Sequence, residues 1–111
     1  MPIIAEAYGS MMVLSADSSL SRAESEEFRR VAAEQTKAGG RWFVLDLSRT
    51  GALDSQGLED LLWFQDEVQQ SGGTVKVAGL RGHPRQIFEL VRFDAKFEVF
   101  DNVHEAVKSL Q

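Results

Sequence analysis

The sequence predicts an α/β fold, because strand-like and helix-like segments alternate from residue 42 onward. Residues 42–47 form a short apolar segment typical of a buried strand. An amphipathic pattern over residues 55–70 predicts a helix, and the alternating segment 74–78 predicts another strand. Strands separated by a helix can pair in parallel through that crossover, so the order indicates a largely parallel sheet.

The first part of the chain predicts a hairpin and a helix. Apolar residues at 3–8 and 11–16 flank Gly9-Ser10, which suits a two-residue hairpin turn. Residues 17–19 are expected to form a polar turn. Ser21 and Glu24 have the spacing of a capping box, so a helix is expected to start there and to end at Gly39-Gly40. Its predicted apolar positions are Phe28, Val31 and Ala32.

The second helix is predicted over residues 55–70, after a polar connection at 48–53. Ser71-Gly72-Gly73 provides its C-terminal stop. Apolar residues at three- and four-residue spacings predict an inward stripe of Leu58, Leu61, Leu62, Phe64 and Val68. Trp63 falls opposite this stripe on a helical wheel, so we expect it to project outward and to contact a protein partner or, in a homodimer, a second copy.

Three further elements are predicted near the C-terminus. Pro84 suits the first turn of a third helix. Residues 97–100 predict a last short strand, and Asn102 predicts the cap of a terminal helix. The apolar residues assigned to these two helices are Ile87, Phe88, Leu90 and Val91 in the third, and Ala106, Val107 and Leu110 in the last.

Composition narrows the possible functions. The 111 residues indicate one domain, 1–111, and the content of 43% hydrophobic and 26% charged residues is ordinary for a globular protein. A net charge of −5 disfavours nucleic-acid binding, and the short apolar runs disfavour membrane insertion. No signal segment and no cysteine are found, so a cytoplasmic protein is expected. His83 and His104 lie in different elements, so neither a metal nor a cofactor is predicted.

The segment Asp54-Ser55-Gln56-Gly57-Leu58 is the main candidate site. A serine at a helix start lies near unpaired N–H groups and the positive end of the helix dipole, where a phosphate can be accommodated. A simpler interpretation is that Asp54 and Ser55 only cap the helix. An Asp/Ser/His hydrolase is disfavoured, because the Gly-x-Ser-x-Gly elbow is absent. We therefore expect no enzymatic activity and no catalytic residue.

Several segments together resemble the STAS domain, and within it the anti-sigma factor antagonists. They are the strand ending Val44-Leu45-Asp46-Leu47, the segment Asp54-Ser55-Gln56-Gly57-Leu58, and Gly72-Gly73 before the strand at 74–78. These segments are followed by a short helix, a strand ending at Asp101, and a last helix containing Glu105-Ala106. The resemblance covers nearly the whole chain. It implies a mixed sheet of four to five strands with about four helices, mostly on one side.

The resemblance also implies a function. Ser55 is the expected phosphorylation site, and the expected partners are an anti-sigma factor that is itself a GHKL-type serine kinase, and a phosphatase that resets the switch. Residues Asp54, Gln56, Gly57, Leu58, Glu59 and Trp63 are expected to bind the kinase when Ser55 is unphosphorylated. Asp46, Asp54, Glu59 and Asp60 are expected to make the neighbourhood acidic.

Two departures from the family pattern and two alternative functions remain. Gln56 stands where many members have a second Ser or Thr, and residues 18–21 read Ser-Ser-Leu-Ser where Gly-x-Leu-Asp is frequent. The leading alternative is a constitutive STAS scaffold subunit of a stressosome or a lipid-transport ATPase, in which Ser55 is only a cap. Nucleotide binding is a weaker alternative, because no glycine-rich phosphate loop is present.

Overall fold

The computed structural model describes residues 3–111. Its strands are β1 (Ile3–Tyr8), β2 (Met11–Ala16), β3 (Ser18–Leu20), β4 (Trp42–Asp46), β5 (Thr50–Leu53), β6 (Thr74–Ala78) and β7 (Glu98–Phe100). Five of them form the main sheet in the order β1-β2-β4-β6-β7. β1 pairs antiparallel with β2, and the other neighbours pair in parallel. The predicted domain 1–111 also includes residues 1 and 2, which lie outside the described residues.

Four helices cover the sheet unequally. They are α1 (Ser25–Lys37), α2 (Ser55–Gln70), α3 (Gly82–Leu90) and α4 (Val103–Ser109). The larger core joins α1, α2 and α3 through Phe28, Phe64 and Phe88, whereas the smaller core includes Ala106 of α4. Successive residues of a strand point to opposite faces, which is why Phe43 belongs to the first core and Val44 to the second. The predicted mixed sheet with helices mostly on one side is confirmed.

A second, two-stranded sheet was not predicted. β3 and β5 pair in parallel where the sequence indicated a polar turn and a polar connection. The Thr50 hydroxyl donates to the Ala16 carbonyl at 2.6 Å, and the Ser18 N–H donates to the Arg49 carbonyl at 3.1 Å. These segments of three and four residues are too short to show an alternating pattern, so their pairing depends on contacts distant in sequence. β5 leads directly into α2, which places the start of that helix beside β3.

Two local predictions near helix ends need correction. The predicted capping box forms, since the Glu24 carboxylate accepts from the Ser21 N–H at 2.9 Å, but it caps a separate 3₁₀ turn at Arg22–Glu24, and α1 begins only at Ser25. Leu90 and Val91, predicted to face the core, are 81% and 43% exposed. The reason is that α3 ends at Leu90 and the chain turns through Arg92 in a left-handed conformation. Phe93 then packs against Phe88, with ring centroids 5.5 Å apart.

Candidate functional site

The start of α2 is capped by Asp54. Its backbone is extended, and its carboxylate Oδ1 accepts a hydrogen bond from the Gly57 N–H at 2.9 Å. The other carboxylate oxygen accepts from the Arg22 N–H at 3.0 Å, although the two residues are 32 positions apart. One side chain therefore satisfies a free donor of the helix and fastens the helix start to the 3₁₀ turn after β3. The interpretation of Asp54 as a helix cap is confirmed.

Ser55 is the first residue of α2, and it is exposed. Its position is fixed from both sides, because β5 precedes it and Asp54 fastens the helix start. The site thus combines an exposed serine with a helix start that Asp54 connects to the segment after β3. A protein that reaches this hydroxyl would meet a helix end held in one orientation rather than a loose loop.

The charge next to Ser55 is negative and permanent near neutral pH. The hydrogen bond from the Gly57 N–H is the main reason that the pKa of Asp54 is lowered, and the Arg22 and Gln56 N–H groups act in the same direction. Partial desolvation of the carboxyl acts in the opposite direction but does not prevail. Glu59, which is exposed, lies one helical turn further along.

Asp60 does not belong to the acidic surface expected from the sequence. Its side chain is fully buried, and Oδ1 accepts from Arg29 Nε at 2.7 Å and from Gln56 Nε2 at 3.1 Å. The other oxygen, Oδ2, is buried without a hydrogen-bond partner among the described residues. The carboxylate is thus paired with a cation from α1, so the prediction that it adds to the acidic neighbourhood of Ser55 is wrong.

Trp63 lies next to the Asp60–Arg29 pair and does not project freely outward. It is half-buried and packs against the larger core, and the Arg29 guanidinium carbon lies 4.8 Å from the ring centroid. A helical wheel describes α2 alone, so it cannot show that Arg29 of α1 covers the face of α2 that carries Trp63. The predicted outward orientation of Trp63 is therefore wrong, and Arg29 lies against its ring.

Gly57 lies where the first turn of α2 packs closely against Leu20 of β3. A Cβ atom at this position would be 2.1 Å from the Leu20 carbonyl oxygen and 2.9 Å from Leu53 Cδ1. Only a residue without a side chain allows this approach. Because Gly57 is buried, it positions the helix start and offers no side chain to another protein.

The structure brings the predicted site residues together at one helix start but exposes them to different extents. Asp54, Ser55 and Glu59 are exposed, whereas Gln56, Leu58 and Trp63 are half-buried. Sequence reasoning missed Arg22 and Arg29, which connect this helix start to the preceding segment and to α1. No local pattern signals either contact, because each spans more than thirty residues.

Two surface cavities lie away from the start of α2. One of about 240 Å³ is lined by Ile4, Glu6, Ser15, Asp17, Asp46, Ser48 and Arg49. A second of about 330 Å³ is lined by residues 48–51 and 81–84. Between residues 3 and 111, no group of three or more His, Asp or Glu side chains is arranged to hold a metal ion. None of the helices described in that range has the length and apolar composition needed to span a bilayer.

Comparison with known proteins gives a consistent family. The STAS domain model matches residues 2–106. BtrV of Bordetella bronchiseptica, assigned as an anti-sigma factor antagonist, is 27% identical over 101 residues, which span 91% of this chain and 87% of BtrV.

Solved structures show the same fold. A Thermotoga maritima protein with the same assignment matches with a TM-score of 0.90 at 18% identity, covering 96% of this chain and 92% of that one. The antagonist SpoIIAA in its unphosphorylated form matches with a TM-score of 0.75 at 16% identity, covering 96% and 94% of the two chains. Phosphorylated SpoIIAA, from Bacillus, matches with a TM-score of 0.78 at 15% identity, covering 98% and 99%.

Proposed function

We propose that this chain, which belongs to the STAS domain family, is an anti-sigma factor antagonist whose partner binding is controlled by phosphorylation of Ser55. The observation that carries the proposal is the exposed Ser55 hydroxyl at the first residue of a long helix held in place by Asp54. The names of BtrV and SpoIIAA, and the phosphorylated form of SpoIIAA, support the same role. The proposed partner is an anti-sigma factor with GHKL-type serine kinase activity, in the cytoplasm.

Phosphorylation at this position would change the surface more than the fold. The kinase transfers the γ-phosphoryl group of ATP to the Ser55 oxygen, and ADP and the hydroxyl proton are released. The phosphate adds about −1.5 to −2 charges. Asp54 already occupies the Gly57 N–H, so the phosphate faces solvent next to two exposed carboxylates, those of Asp54 and Glu59. The helix dipole offsets part of this repulsion inside the domain.

A partner docked on Ser55 would have to accommodate the bulk and charge of the phosphate at the contact surface, without that compensation from the α2 dipole. A loss of about 3 kcal/mol at the interface corresponds to roughly a hundredfold weaker binding. A phosphate that costs the interface this much acts as a release signal, and removal of the phosphate by a phosphatase restores binding.

The proposed contact surface follows the exposed side of the helix start. Asp54, Ser55 and Glu59 contact the partner directly, and the accessible parts of Gln56, Leu58 and Trp63 extend the surface along α2. Gly57 contributes by allowing α2 to lie against Leu20. In this proposal the protein itself is a binding module without enzymatic activity.

A phosphotransfer assay with the cognate kinase and ATP tests the proposal. The wild type should incorporate one phosphate, and Ser55→Ala should abolish incorporation. Ser25→Ala is a matched control, because Ser25 also begins a long helix and also follows an acidic residue, Glu24. Phosphate on a different residue, or an unmodified wild type, would contradict the switch.

The scaffold alternative makes a different prediction. If Ser55 is only the first residue of α2 and is not a regulatory site, then Ser55→Asp should leave partner affinity unchanged within about twofold, and the captured partner should be a transporter ATPase or a large assembly. The switch predicts a large loss of partner affinity for Ser55→Asp, and a loss of roughly a hundredfold for the phosphorylated protein. Mass spectrometry of captured partners and a binding titration distinguish the two.

A further inference from the structure

The edge of the main sheet at β1 is open in the part of the chain that the structure describes. β1 has six residues, pairs with β2 on one side only, and contains a single charged residue, Glu6. Edge strands are usually protected by charged side chains, proline, bulges or very short length, because their free N–H and C=O groups can pair with another strand. Within residues 3–8, Glu6 is the one such device, and proline, a bulge and short length are absent.

The hairpin register shows which backbone groups are free. Gly9 and Ser10 form a two-residue loop, and Tyr8 lies opposite Met11 at its base. A turn of this length is closed by hydrogen bonds between the two flanking residues, and hydrogen-bonded pairs then alternate along the ladder. The even-numbered residues of β1 therefore bond to β2, which leaves the N–H and C=O groups of Ile3, Ala5 and Ala7 directed away from the sheet.

We propose that this edge binds the same edge of a second copy of the chain, antiparallel, with the two-fold axis at Ala5. Each Ala5 then lies opposite the other Ala5, and each Ile3 lies opposite Ala7 of the second copy. All three residues with free backbone groups obtain partners. The two sheets become one continuous ten-stranded sheet, formed from five strands of each copy.

Charge selects this register. With the axis at Ala5, Glu6 lies opposite Ile4 of the second copy. Moving the axis to Glu6 places the two Glu6 carboxylates directly opposite each other, which is unfavourable, and it leaves Ile3 opposite the Gly9 turn. A strand from an unrelated protein would not be expected to match this symmetry.

Two exposed side chains support the same arrangement. Ile4 is 43% exposed and Tyr8 is 49% exposed, and both lie on the sheet face occupied by α4. In the proposed register Ile4 is a diagonal neighbour of Ile4 and of Tyr8 in the second copy, at about 7–8 Å, within reach of an aromatic ring. Pairing therefore removes part of an exposed apolar surface from water.

Sedimentation velocity over a range of protein concentrations tests the proposal. The wild type should form a dimer as its concentration rises. Ala5→Lys and Ala5→Glu should each remain monomeric, because like charges meet at the axis, and an equal mixture of the two should recover the dimer. Ala52→Lys adds the same charge at an exposed alanine of β5 and should dimerise like the wild type.

A second variant guards against misfolding at Ala5, which packs partly against the core. Ala7 is exposed and its N–H is directed outward, so Ala7→Pro should leave the hairpin folded while weakening the dimer at least tenfold. A wild type that remains monomeric at every concentration overturns the proposal. A dimer that tolerates both Ala5→Lys and Ala7→Pro also overturns it, because the copies then meet through another surface. Neither result bears on phosphorylation of Ser55.

Discussion

Replacing Gly57 with alanine tests whether α2 must lie directly against β3. The added Cβ would be 2.1 Å from the Leu20 carbonyl oxygen and 3.1 Å from the Leu20 carbonyl carbon. These are backbone atoms of β3, so they cannot move aside as the end of a flexible side chain can. The helix start must shift instead, and with it the Asp54 hydrogen bonds to Gly57 and Arg22.

In Gly57→Ala, the steric clash of the added Cβ opposes the higher helix propensity of alanine. Alanine stabilises a helix interior by about 1 kcal/mol relative to glycine, which is the upper bound of the gain at Gly57 in the first turn of α2. Overpacking costs typically 1–3 kcal/mol, and a clash with fixed backbone belongs near about 3 kcal/mol. The net loss is therefore about 2 kcal/mol, which for a domain of this size lowers Tm by roughly 10 °C.

Thermal unfolding followed by circular dichroism measures this loss. Gly51→Ala is the matched control, because its Cβ would approach no atom closer than the Ser18 carbonyl oxygen at 3.5 Å. That variant should unfold within about 2 °C of the wild type. A Gly57→Ala protein as stable as the wild type would refute the close approach of α2 to β3.

Three further predictions concern the cap of α2, the contact between α1 and α2, and the end of α3. Asp54→Asn should reduce the free energy of unfolding near neutral pH. The difference from the wild type should shrink as pH falls below about 4, because Asp54, whose pKa is lowered in the folded protein, stabilises the fold only while its carboxyl is ionised. Urea unfolding at several pH values measures this difference. Arg29→Met should lower the free energy of unfolding by about 2–3 kcal/mol, because the Asp60 carboxylate stays buried without its cation; the loss is smaller than for a fully buried pair because Arg29 is 40% exposed. In the same urea titration, Arg29→Met combined with Asp60→Leu should have a free energy of unfolding within about 1 kcal/mol of the wild type. Leu90→Ser should change the urea midpoint negligibly, since Leu90 is 81% exposed, whereas Phe88→Ala should cost about 3–5 kcal/mol.

The sequence predicted those elements whose pattern is local and long. The apolar spacing of α2 and the buried segment of β4 are visible in consecutive residues, and the Asp54 cap is visible in the residue type. The β3–β5 pairing was missed because it joins short segments about thirty residues apart. The same reason explains Trp63, whose environment is completed by Arg29 of another helix.

The candidate site shows the same division. The sequence located Ser55 and its acidic neighbour, because helix starts have a recognisable chemistry. It could not show that Asp60 is neutralised by Arg29 or that Gly57 packs under Leu20, since both facts depend on how α1 and β3 lie against α2. The charge around Ser55 is thus carried by Asp54 and Glu59 alone among the four acidic residues considered for it, with Asp46 lining a separate cavity.

The most direct measurement is a calorimetric titration of the anti-sigma factor kinase with this protein, once unmodified and once carrying a phosphate on Ser55. We predict tight binding by the unmodified protein and affinity weaker by roughly a hundredfold after phosphorylation, with an unchanged circular dichroism spectrum. Equal affinities for the two forms would contradict the proposed switch, and so would tighter binding by the phosphorylated form.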